Sequence, residues 1–476
     1  MIFPSPSEIK PILEIIGTEK LKLNKKAISE YLKYGFINHS NTIYSSIQNF
    51  EHGYSARIDL KKNKLIKKKW FIHRKIENKS IKDFKSEMRK RIIESIKLHV
   101  ISDRKFGLLL SGGLDSSILA YEISKLGLDI RAFTIKTRNH NEDYVNAKKL
   151  ANDLNIPISE INFDVDRNNI FDLVDNILNY ISQPFSNPTP IYIDEITKEA
   201  AKLDYRVLLT GDGADEIFFG YPRHKAILHY QYITKFPFLF KVINQIGNNS
   251  QFLNLIKKNE YKYRLSIFLK SLTLNFEDAY DQWVSISNSD NVINKFIIKN
   301  FGLPKSPIKK VCYKSIKIKD KLNFAQYHDL NHFLPNNLLL GGDRASMQNS
   351  VELRFPFLDK EVINLKNYLQ IYKNINLNEG KLLLKEAYKD KLPNYILKRR
   401  KKGFNPPTLD WVNRNSIFIK NFLKEEMDSK YLKPILAYCK ILLSESMLGN
   451  INSSNKLWTI LVFLRWNQKF NIEKYL

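Results

Sequence analysis

The chain contains almost no cysteine and no long apolar run, and both scarcities narrow the class of protein. Cys312 and Cys439 are the only cysteines among 476 residues; they suggest no disulfide framework, and their spacing matches no metal-binding motif. No apolar stretch approaches the roughly 20 residues that a membrane-spanning helix needs. The first residues, Met1 to Ser5, lack the charged and apolar regions of a secretory signal. We therefore expect a cytoplasmic protein that has no membrane partner.

Acidic residues are few relative to basic ones. The chain has 49 Asp and Glu against 76 Lys and Arg, which gives a formal net charge of +27. Such an excess attracts polyanions, including nucleic acid. The basic residues are scattered, however, and no basic motif interleaved with aromatic side chains occurs. We interpret the charge as a lysine-rich surface, which bears on solubility, and we do not predict nucleic acid as a partner.

The first region of the chain, up to about residue 75, has the patterns of part of a β-containing domain. Residues 27–36 carry a short helical pattern. Apolar and polar residues then alternate from Tyr54 to Leu60, which predicts a half-buried strand. A turn at 61–64 and a second extended run from Leu65 to Phe71 would complete a hairpin.

The middle region, from about residue 80 to 225, alternates apolar strands with helical stretches. Continuous apolar runs occur at Phe106–Leu110, Ile130–Ile135 and Val207–Leu209, each followed by turn residues. This pattern is typical of buried parallel strands in an α/β sheet. Beyond residue 225 the patterns are mainly helical. We therefore predict an α/β fold that has a parallel sheet and a largely helical C-terminal part.

The most informative stretch is Ser111–Ser117, which follows a buried strand and reads Ser-Gly-Gly-Leu-Asp-Ser-Ser. Gly112 and Gly113 let the backbone turn tightly and come close to a ligand. A helix then begins, and its N-terminus, which holds Ser116, suits an anion. No Gly-Lys-Ser/Thr follows, and the two glycines are adjacent, so the stretch is neither a Walker A loop nor a dinucleotide fingerprint. Asp115 makes sense there as a Mg²⁺ ligand beside phosphates.

Together with three later stretches, this loop resembles the PP-loop of the N-type ATP pyrophosphatases and, more narrowly, the asparagine synthetase family. The later stretches follow the family's order and lie at Leu209–Tyr221, Asp343–Asp359 and Arg399–Phe404. The resemblance covers nearly the whole chain. It implies an amide synthetase in which a carboxylate attacks the α-phosphorus of ATP and pyrophosphate leaves. Ammonia then displaces AMP from the acyl-adenylate.

The resemblance also implies roles for individual residues. Asp115 and Asp215 would hold Mg²⁺ between pyrophosphate oxygens and so neutralise the charge of the leaving group. Asp212 would act in forming the intermediate, and Lys401 would stabilise the transition state as charge builds on the phosphoryl oxygens. The residues that would bind ATP and pyrophosphate are Leu109, Ser111, Gly112, Gly113, Asp115, Ser116, Ser117, Ile135, Thr210, Gly211 and Tyr221.

Some of these positions also have structural interpretations. The residues Lys398–Lys402 could form a charged helix end, and Asp212–Glu216 could be an acidic turn before a helix. For Asp359 we prefer the structural role of a helix N-cap. His328 and His332 lie four residues apart, but no HExxH motif surrounds them and no third ligand is apparent, so we predict structural histidines.

The chain departs from the family pattern at two places. Members that use glutamine begin with a processed N-terminal cysteine, whereas here Ile2 follows Met1 and no cysteine precedes Cys312. We therefore predict that residues 1–75 are the last third of a glutaminase domain without its nucleophile, and that 80–476 form the synthetase domain. The second departure is Gly341-Gly342, where the family leads us to expect Lys and an apolar residue.

Several alternatives stay open at this point. The nitrogen could come from a separate glutaminase subunit, from free ammonia or from another amine. Aspartate is the default acceptor by resemblance, and a sugar acid or a peptide is the alternative carboxylate. A tRNA-modifying PP-loop enzyme would make use of the +27 charge. A truncated gene with an inactive product would explain the missing nucleophile.

Overall fold

The computed structural model describes most of the chain: residues 7–17, 21–38, 40–59, 61–62, 64–71, 83–137, 142–163, 170–236, 238, 260–287, 290–302, 320–368, 374–399, 403, 406–426 and 431–470. Seven strands lie in these residues: β1 Tyr54–Asp59, β2 Lys64–Lys69, β3 Lys105–Leu109, β4 Arg131–Thr137, β5 Ile158–Phe163, β6 Tyr205–Leu209 and β7 Glu352–Arg354. None of the described helices is both long and apolar enough to cross a bilayer.

Helices make up most of the described chain. The α-helices are α1 Ile9–Ile16, α2 Lys25–Tyr34, α3 Phe84–His99, α4 Leu114–Lys125, α5 Glu142–Asp153, α6 Ile170–Ile181, α7 Thr189–Lys202, α8 Ala214–Phe218, α9 Pro222–Lys235, α10 Glu260–Ser271, α11 Phe276–Val284, α12 Asn291–Phe301, α13 Lys321–His328, α14 Leu340–Met347, α15 Lys360–Asn364, α16 Leu382–Ala387, α17 Asn394–Leu397, α18 Thr408–Arg414, α19 Ser416–Glu425, α20 Lys433–Met447 and α21 Ile451–Phe470. A π-helix spans Asp329–Leu339, and short 3₁₀ turns span Pro356–Leu358 and Leu365–Asn367.

The central sheet has five strands in the order β5-β4-β3-β6-β7, and every pairing is parallel. The chain runs outward from β3 through β4 to β5 and then returns to the other side of β3 with β6 and β7. The strand order therefore reverses between β3 and β6. Parallel sheets bind ligands at such a switch point, outside the carboxyl ends of the strands.

Helices cover the sheet on both faces, because successive strand residues point to opposite sides. Leu108 and Leu110 join a core that also contains residues of α3, α4 and α5. Leu109 and Phe133 join a second core, which contains residues of α6, α7 and α21. Strands that are buried on both faces read as continuous apolar runs. This is why the three predicted strands could be located, and the prediction of an α/β parallel sheet is confirmed.

The N-terminal segment attaches through its helices rather than through its hairpin. Tyr31 of α2 is fully buried and donates its hydroxyl to the Thr459 carbonyl in α21 at 2.8 Å. The predicted hairpin forms, with β1 and β2 antiparallel. The prediction that its first strand is half-buried is wrong, since Ile58 is 40% exposed and Leu65 on the partner strand is 46% exposed. The alternation of apolar and polar residues marks a face of the hairpin that another element could bury, but no described element packs against that face.

Other local predictions have clear outcomes. Asp359 is the N-cap of α15 and accepts a hydrogen bond from the Glu361 amide at 2.8 Å, as expected. His328 and His332 are buried in the protein interior, and their structural role stays a prediction. Gly341 sits where a Cβ would come within 2.7 Å of the Pro190 ring, so the local packing at this departure from the family pattern excludes any side chain.

Candidate active site

The reversal of strand order brings two loops together. One follows β3 and contains Ser111 to Asp115, and the other follows β6 and contains Thr210 to Asp215. Gly211 is the point of closest approach: a Cβ built there would lie 2.8 Å from the Asp115 Cβ and 3.0 Å from the Ser116 amide nitrogen. Both distances are shorter than ordinary van der Waals contact, so only glycine lets the two loops pack this closely. The sequence-predicted residues of both loops therefore meet at one place.

The first loop has the backbone of an anion cradle. Gly112 has a φ of +65°, in the left-handed region that favours glycine. A Cβ there would also lie 2.6 Å from the Asp143 carbonyl oxygen at the start of α5. Gly113 is extended and caps α4 without a side chain, so the first amides of α4 have no capping side chain from that residue. Free amides at a helix N-terminus suit a phosphate.

Three serines surround this helix start. The Ser116 hydroxyl accepts a hydrogen bond from the Ser111 amide at 3.2 Å and lies 3.1 Å from the Ser111 hydroxyl. These bonds fix the turn in the shape that the sequence predicts. The Ser117 hydroxyl is fully buried and has no hydrogen-bond partner within the described part of the chain. Because a buried hydroxyl without a partner costs free energy, Ser117 fits a ligand oxygen.

The second loop holds Asp212 through its neighbour. Thr210 is 2% exposed and its hydroxyl donates to Asp212 Oδ2 at 2.6 Å. The Asp212 amide points back to the same hydroxyl at 3.4 Å. The Thr210 amide in turn donates to the carbonyl oxygen of Arg354, the last residue of β7, at 2.9 Å. The carboxylate of Asp212 is therefore oriented by a fixed residue at the edge of the site.

The two carboxylates predicted to hold a metal converge on one centre. Lys381 Nζ lies 2.6 and 2.7 Å from the two oxygens of Asp115 and 2.5 Å from Asp215 Oδ1. All three side chains are nearly buried, with exposed fractions of 6%, 11% and 12% for Lys381, Asp115 and Asp215. Two buried carboxylates that share one cationic centre are the donor set that Mg²⁺ prefers beside phosphates. The residues present therefore fit the predicted cation.

Tyr221 is directed at Glu216 rather than at the phosphate loop. Its hydroxyl donates to Glu216 Oε1 at 2.6 Å, and its ring lies 3.8 Å from the Arg223 guanidinium. Glu216 is completely buried next to Asp215. Burial and the Asp215 charge raise the pKa of Glu216 to about 8. A contact of Tyr221 with the nucleotide stays a prediction, because the described hydrogen bond of its hydroxyl is with Glu216.

The basic stretch at the end of the motif series is anchored to the first loop. Arg399 Nη1 donates to the Gly112 carbonyl oxygen at 2.7 Å, and its guanidinium pairs with Asp143. Lys401 itself lies outside the described residues. The alternative of a solvated helix end does not hold for Arg399, whose side chain is 8% exposed. The assignment of Lys401 as a catalytic residue stays a prediction.

Leu109 and Ile135 lie on neighbouring strands near the switch point. Leu109 ends β3 and Ile135 lies in β4, and they are 7% and 6% exposed. Both belong to the same core. Their placement next to the phosphate loop is compatible with a wall for the adenine ring. The contact with adenosine remains an expectation from the family resemblance.

A buried polar cluster lies behind the second loop. Asp329, at the start of the π-helix, accepts hydrogen bonds from Arg223 Nη2 at 2.9 Å and from the Tyr280 hydroxyl at 2.8 Å. His224 Nε2 lies 2.9 Å from the same carboxylate. Burial opposes ionisation here, but the Arg223 charge together with the hydrogen bonds to His224 and His328 holds the pKa of Asp329 well below its ordinary value. The cluster joins α9, α11 and the π-helix behind Tyr221.

Three residues of this region were not predicted from the sequence. Lys381 completes the acidic pair, Arg399 holds the phosphate loop, and Glu216 lies buried beside Asp215. Glu216 and Arg399 were parts of recognised motifs, whereas Lys381 lies in none of them. The sequence offers one local sign of Lys381, the glycine that precedes it. In the structure a Cβ at Gly380 would come within 2.0 Å of the Phe219 carbonyl oxygen, so this glycine allows the close approach that brings Lys381 to the site.

The chain is similar in sequence to known proteins. A family profile described as asparagine synthase matches residues 87–468. The asparagine synthetase (glutamine-hydrolyzing) 1 of Bacillus subtilis is 25% identical over 98% of this chain and 72% of its own length. A putative asparagine synthetase of Mycobacterium tuberculosis is 24% identical over 96% of this chain and 69% of its own length. The solved NMN synthetase of Francisella tularensis is 19% identical over 30% of this chain and 58% of its own, with a TM-score of 0.21, a likeness too partial to bear on function.

Proposed function

The chain belongs to the asparagine synthase family, and on that premise we propose that it amidates a carboxylate at the expense of ATP, with aspartate as acceptor and asparagine as product. The observation that carries the proposal is the meeting of two loops at the switch point of the sheet. One loop supplies an anion cradle and the other supplies Asp212 and Asp215. Relatives of this chain are named asparagine synthetases, which makes aspartate the first acceptor to test.

The proposed reaction has two steps. An oxygen of the acceptor carboxylate attacks the α-phosphorus of ATP, and the bond from that phosphorus to the bridging oxygen breaks, releasing pyrophosphate. Ammonia then attacks the acyl carbon and loses a proton, and AMP leaves with the former carboxylate oxygen. The products are an amide, AMP and pyrophosphate, and no oxidant or reductant is needed.

The phosphates would lie against the start of α4. The N-cap Gly113 leaves the start of α4 without a capping side chain, and the buried Ser117 hydroxyl offers a further donor. Arg399 holds this loop in place through the Gly112 carbonyl oxygen. Donors fixed in advance stabilise developing charge without reorganising during the reaction. This loop is suited to a leaving pyrophosphate.

Mg²⁺ would be held by Asp115 and Asp215, whose carboxylates already share one cationic centre. When bound, it would neutralise charge on the leaving pyrophosphate. Asp212, oriented by Thr210, would act in forming the acyl-adenylate. Lys401, by the family resemblance, would stabilise the transition state.

The nitrogen source is proposed as free ammonia or ammonia delivered by a separate glutaminase subunit. No cysteine precedes Cys312 in the sequence, so residues 1–75 lack the thiol that the resemblance associates with glutamine hydrolysis. The exposed hairpin of β1 and β2 belongs to that segment. We keep the division into a glutaminase-like segment at 1–75 and a synthetase domain at 80–476 as part of this proposal.

The experiment is an assay of AMP and pyrophosphate with purified protein, ATP, Mg²⁺ and a panel of carboxylates, each with ammonium or with glutamine. The panel contains aspartate, a sugar acid and a peptide. We expect AMP and pyrophosphate to be released with aspartate and ammonium, and little of either to be released when glutamine replaces ammonium. Asp115→Asn should release neither product. Glu386→Gln, which removes a surface carboxylate paired with Lys85, is the control and should keep full activity. Silence with every acceptor would contradict the proposal, and release with the sugar acid or peptide alone would reject aspartate as acceptor.

A further inference from the structure

Lys381 occupies the centre that the proposed metal would need. Its ammonium contacts both oxygens of Asp115 and one oxygen of Asp215, at 2.5 to 2.7 Å. No sequence motif marks this lysine as part of the site. Two carboxylates buried next to each other repel, and a buried charge without a partner is costly. The ammonium therefore supplies the positive charge that holds the pair together.

The backbone around Lys381 is shaped to deliver this ammonium. Lys381 has a φ of +57°, a left-handed conformation that is strained for a residue other than glycine. Its amide donates to the Phe218 carbonyl oxygen at 3.2 Å, and the Asn374 side chain donates to the same oxygen at 2.7 Å. Asn374 Oδ1 also accepts from the Leu383 amide at 3.1 Å. A strained residue held by several hydrogen bonds at a site points to a function of that residue.

The fit of the neighbouring glycines makes the same point. A Cβ at Gly220 would lie 1.8 Å from Asp215 Oδ1 and 2.4 Å from the Lys381 Cε. A Cβ at Gly380 would lie 2.0 Å from the Phe219 carbonyl oxygen. A side chain at Gly220 would therefore collide with Asp215 and Lys381, and one at Gly380 would collide with the backbone of the second loop's helix. Because both residues are glycines, the Lys381 side chain can reach the carboxylates.

We propose that Lys381 is a built-in counter-cation, which a divalent metal must displace from Asp115 and Asp215, so that the metal binds well only together with nucleotide. A metal ion that arrives alone brings two further positive charges next to the ammonium, and like charges at short range repel. A metal ion that arrives with nucleotide brings the negative phosphates as well, and these offset the displaced ammonium. The inference rests on the proposed function only in taking these two carboxylates as the metal-binding pair.

The test measures Mn²⁺ binding to the full chain without nucleotide, by the loss of the free-ion signal in electron paramagnetic resonance. We expect weak binding by the wild-type protein and at least about tenfold tighter binding by Lys381→Met, which corresponds to about 1.4 kcal/mol. Lys381→Gly should behave alike, and it suits the positive φ if Lys381→Met fails to fold. Lys385→Met, which removes a lysine paired with Glu379 at the surface of the same segment, is the matched control and should bind like the wild type.

Three further measurements locate the effect. Adding Asp215→Asn to Lys381→Gly should abolish the gain in Mn²⁺ affinity, because the gain depends on the paired carboxylates. A non-hydrolysable ATP analogue should tighten Mn²⁺ binding by the wild type far more than by Lys381→Gly. In thermal unfolding, Mg²⁺ alone should raise the Tm of Lys381→Gly and leave that of the wild type nearly unchanged, because a ligand stabilises the state that binds it.

The proposal is overturned if nucleotide-free wild type binds Mn²⁺ as tightly as the Lys381 variants do, or if the gain survives Asp215→Asn. In the first case Lys381 would be an ordinary structural partner of the pair. Neither the Mn²⁺ affinities nor the Tm values depend on catalytic turnover. An inactive protein that passes the Mn²⁺ tests would count against the proposed reaction alone, and an active protein that fails them would count against the role of Lys381 alone.

Discussion

Replacing Gly211 by alanine tests whether the two loops must touch. The added Cβ would lie 2.8 Å from the Asp115 Cβ and 3.0 Å from the Ser116 amide nitrogen. Carbon atoms in good contact are about 3.5–4.0 Å apart. The two loops would therefore have to separate by about 1 Å. No flexible side-chain end can absorb this shift, since the atoms that clash are the backbone and the Cβ of the phosphate loop.

The expected cost follows from that displacement. Overpacking of a well-packed site costs about 1–3 kcal/mol of stability, which a domain of this size tolerates. A misplacement of about 1 Å between reacting groups costs about a hundredfold in rate. We expect Gly211→Ala to fold and to lose about a hundredfold in kcat/KM for AMP formation with aspartate and ammonium. Steady-state kinetics and urea denaturation measure the two quantities separately.

The control is Gly342→Ala, whose Cβ would meet the end of the Leu353 side chain at 3.3 Å. That neighbour is a flexible side chain rather than backbone, so activity should stay within about threefold of wild type, a loss of under 1 kcal/mol. Full activity of Gly211→Ala would show that close contact between the two loops is not needed for catalysis. Equal losses in both variants would point to a general effect of adding a methyl group.

Three other predictions follow from buried charges. Because the pKa of Glu216 is raised to about 8 from about 4.3 in the unfolded chain, its contribution to stability is complete below the lower value and is lost as pH rises through the higher one. The free energy of unfolding should thus fall more steeply over that range in wild type than in Glu216→Gln, and parallel urea-denaturation profiles would contradict this. Arg399→Gln removes the hydrogen bond to the Gly112 carbonyl oxygen and should raise KM for ATP about tenfold. An unchanged KM would mean that the phosphate loop keeps its conformation without Arg399. Asp329→Asn leaves Arg223 without its buried partner and should cost about 3–5 kcal/mol in urea denaturation, whereas a loss below about 1 kcal/mol would contradict the buried pair.

Features set by short stretches of chain could be predicted from the sequence. The strands β3, β4 and β6 are buried on both faces, so each reads as a continuous apolar run. The phosphate loop is defined by its own glycines and serines together with the helix that follows it. β5 and β7 were not predicted: β5 has several half-exposed positions and β7 has three residues, so neither gives a long apolar run.

Features that depend on distant parts of the chain could not be predicted in the same way. Lys381 reaches Asp115 across 266 residues, and its place depends on the close approach of Gly380 to Phe219. The half-buried character of the first hairpin strand was predicted wrongly for a related reason: alternation marks a face that packing can bury, and it does not show whether another element covers that face. The family resemblance supplied the roles of Asp212 and Lys401, which the residue patterns alone would have left as an acidic turn and a charged helix end.

The most direct test of the central claim follows oxygen rather than product yield. Aspartate labelled with ¹⁸O in its side-chain carboxylate is incubated with the protein, ATP, Mg²⁺ and ammonium, and the AMP is analysed by mass spectrometry. If the carboxylate attacks the α-phosphorus, one labelled oxygen leaves in AMP and the other stays in the amide of asparagine. Unlabelled AMP, or phosphate carrying the label together with ADP, would contradict an acyl-adenylate at this site.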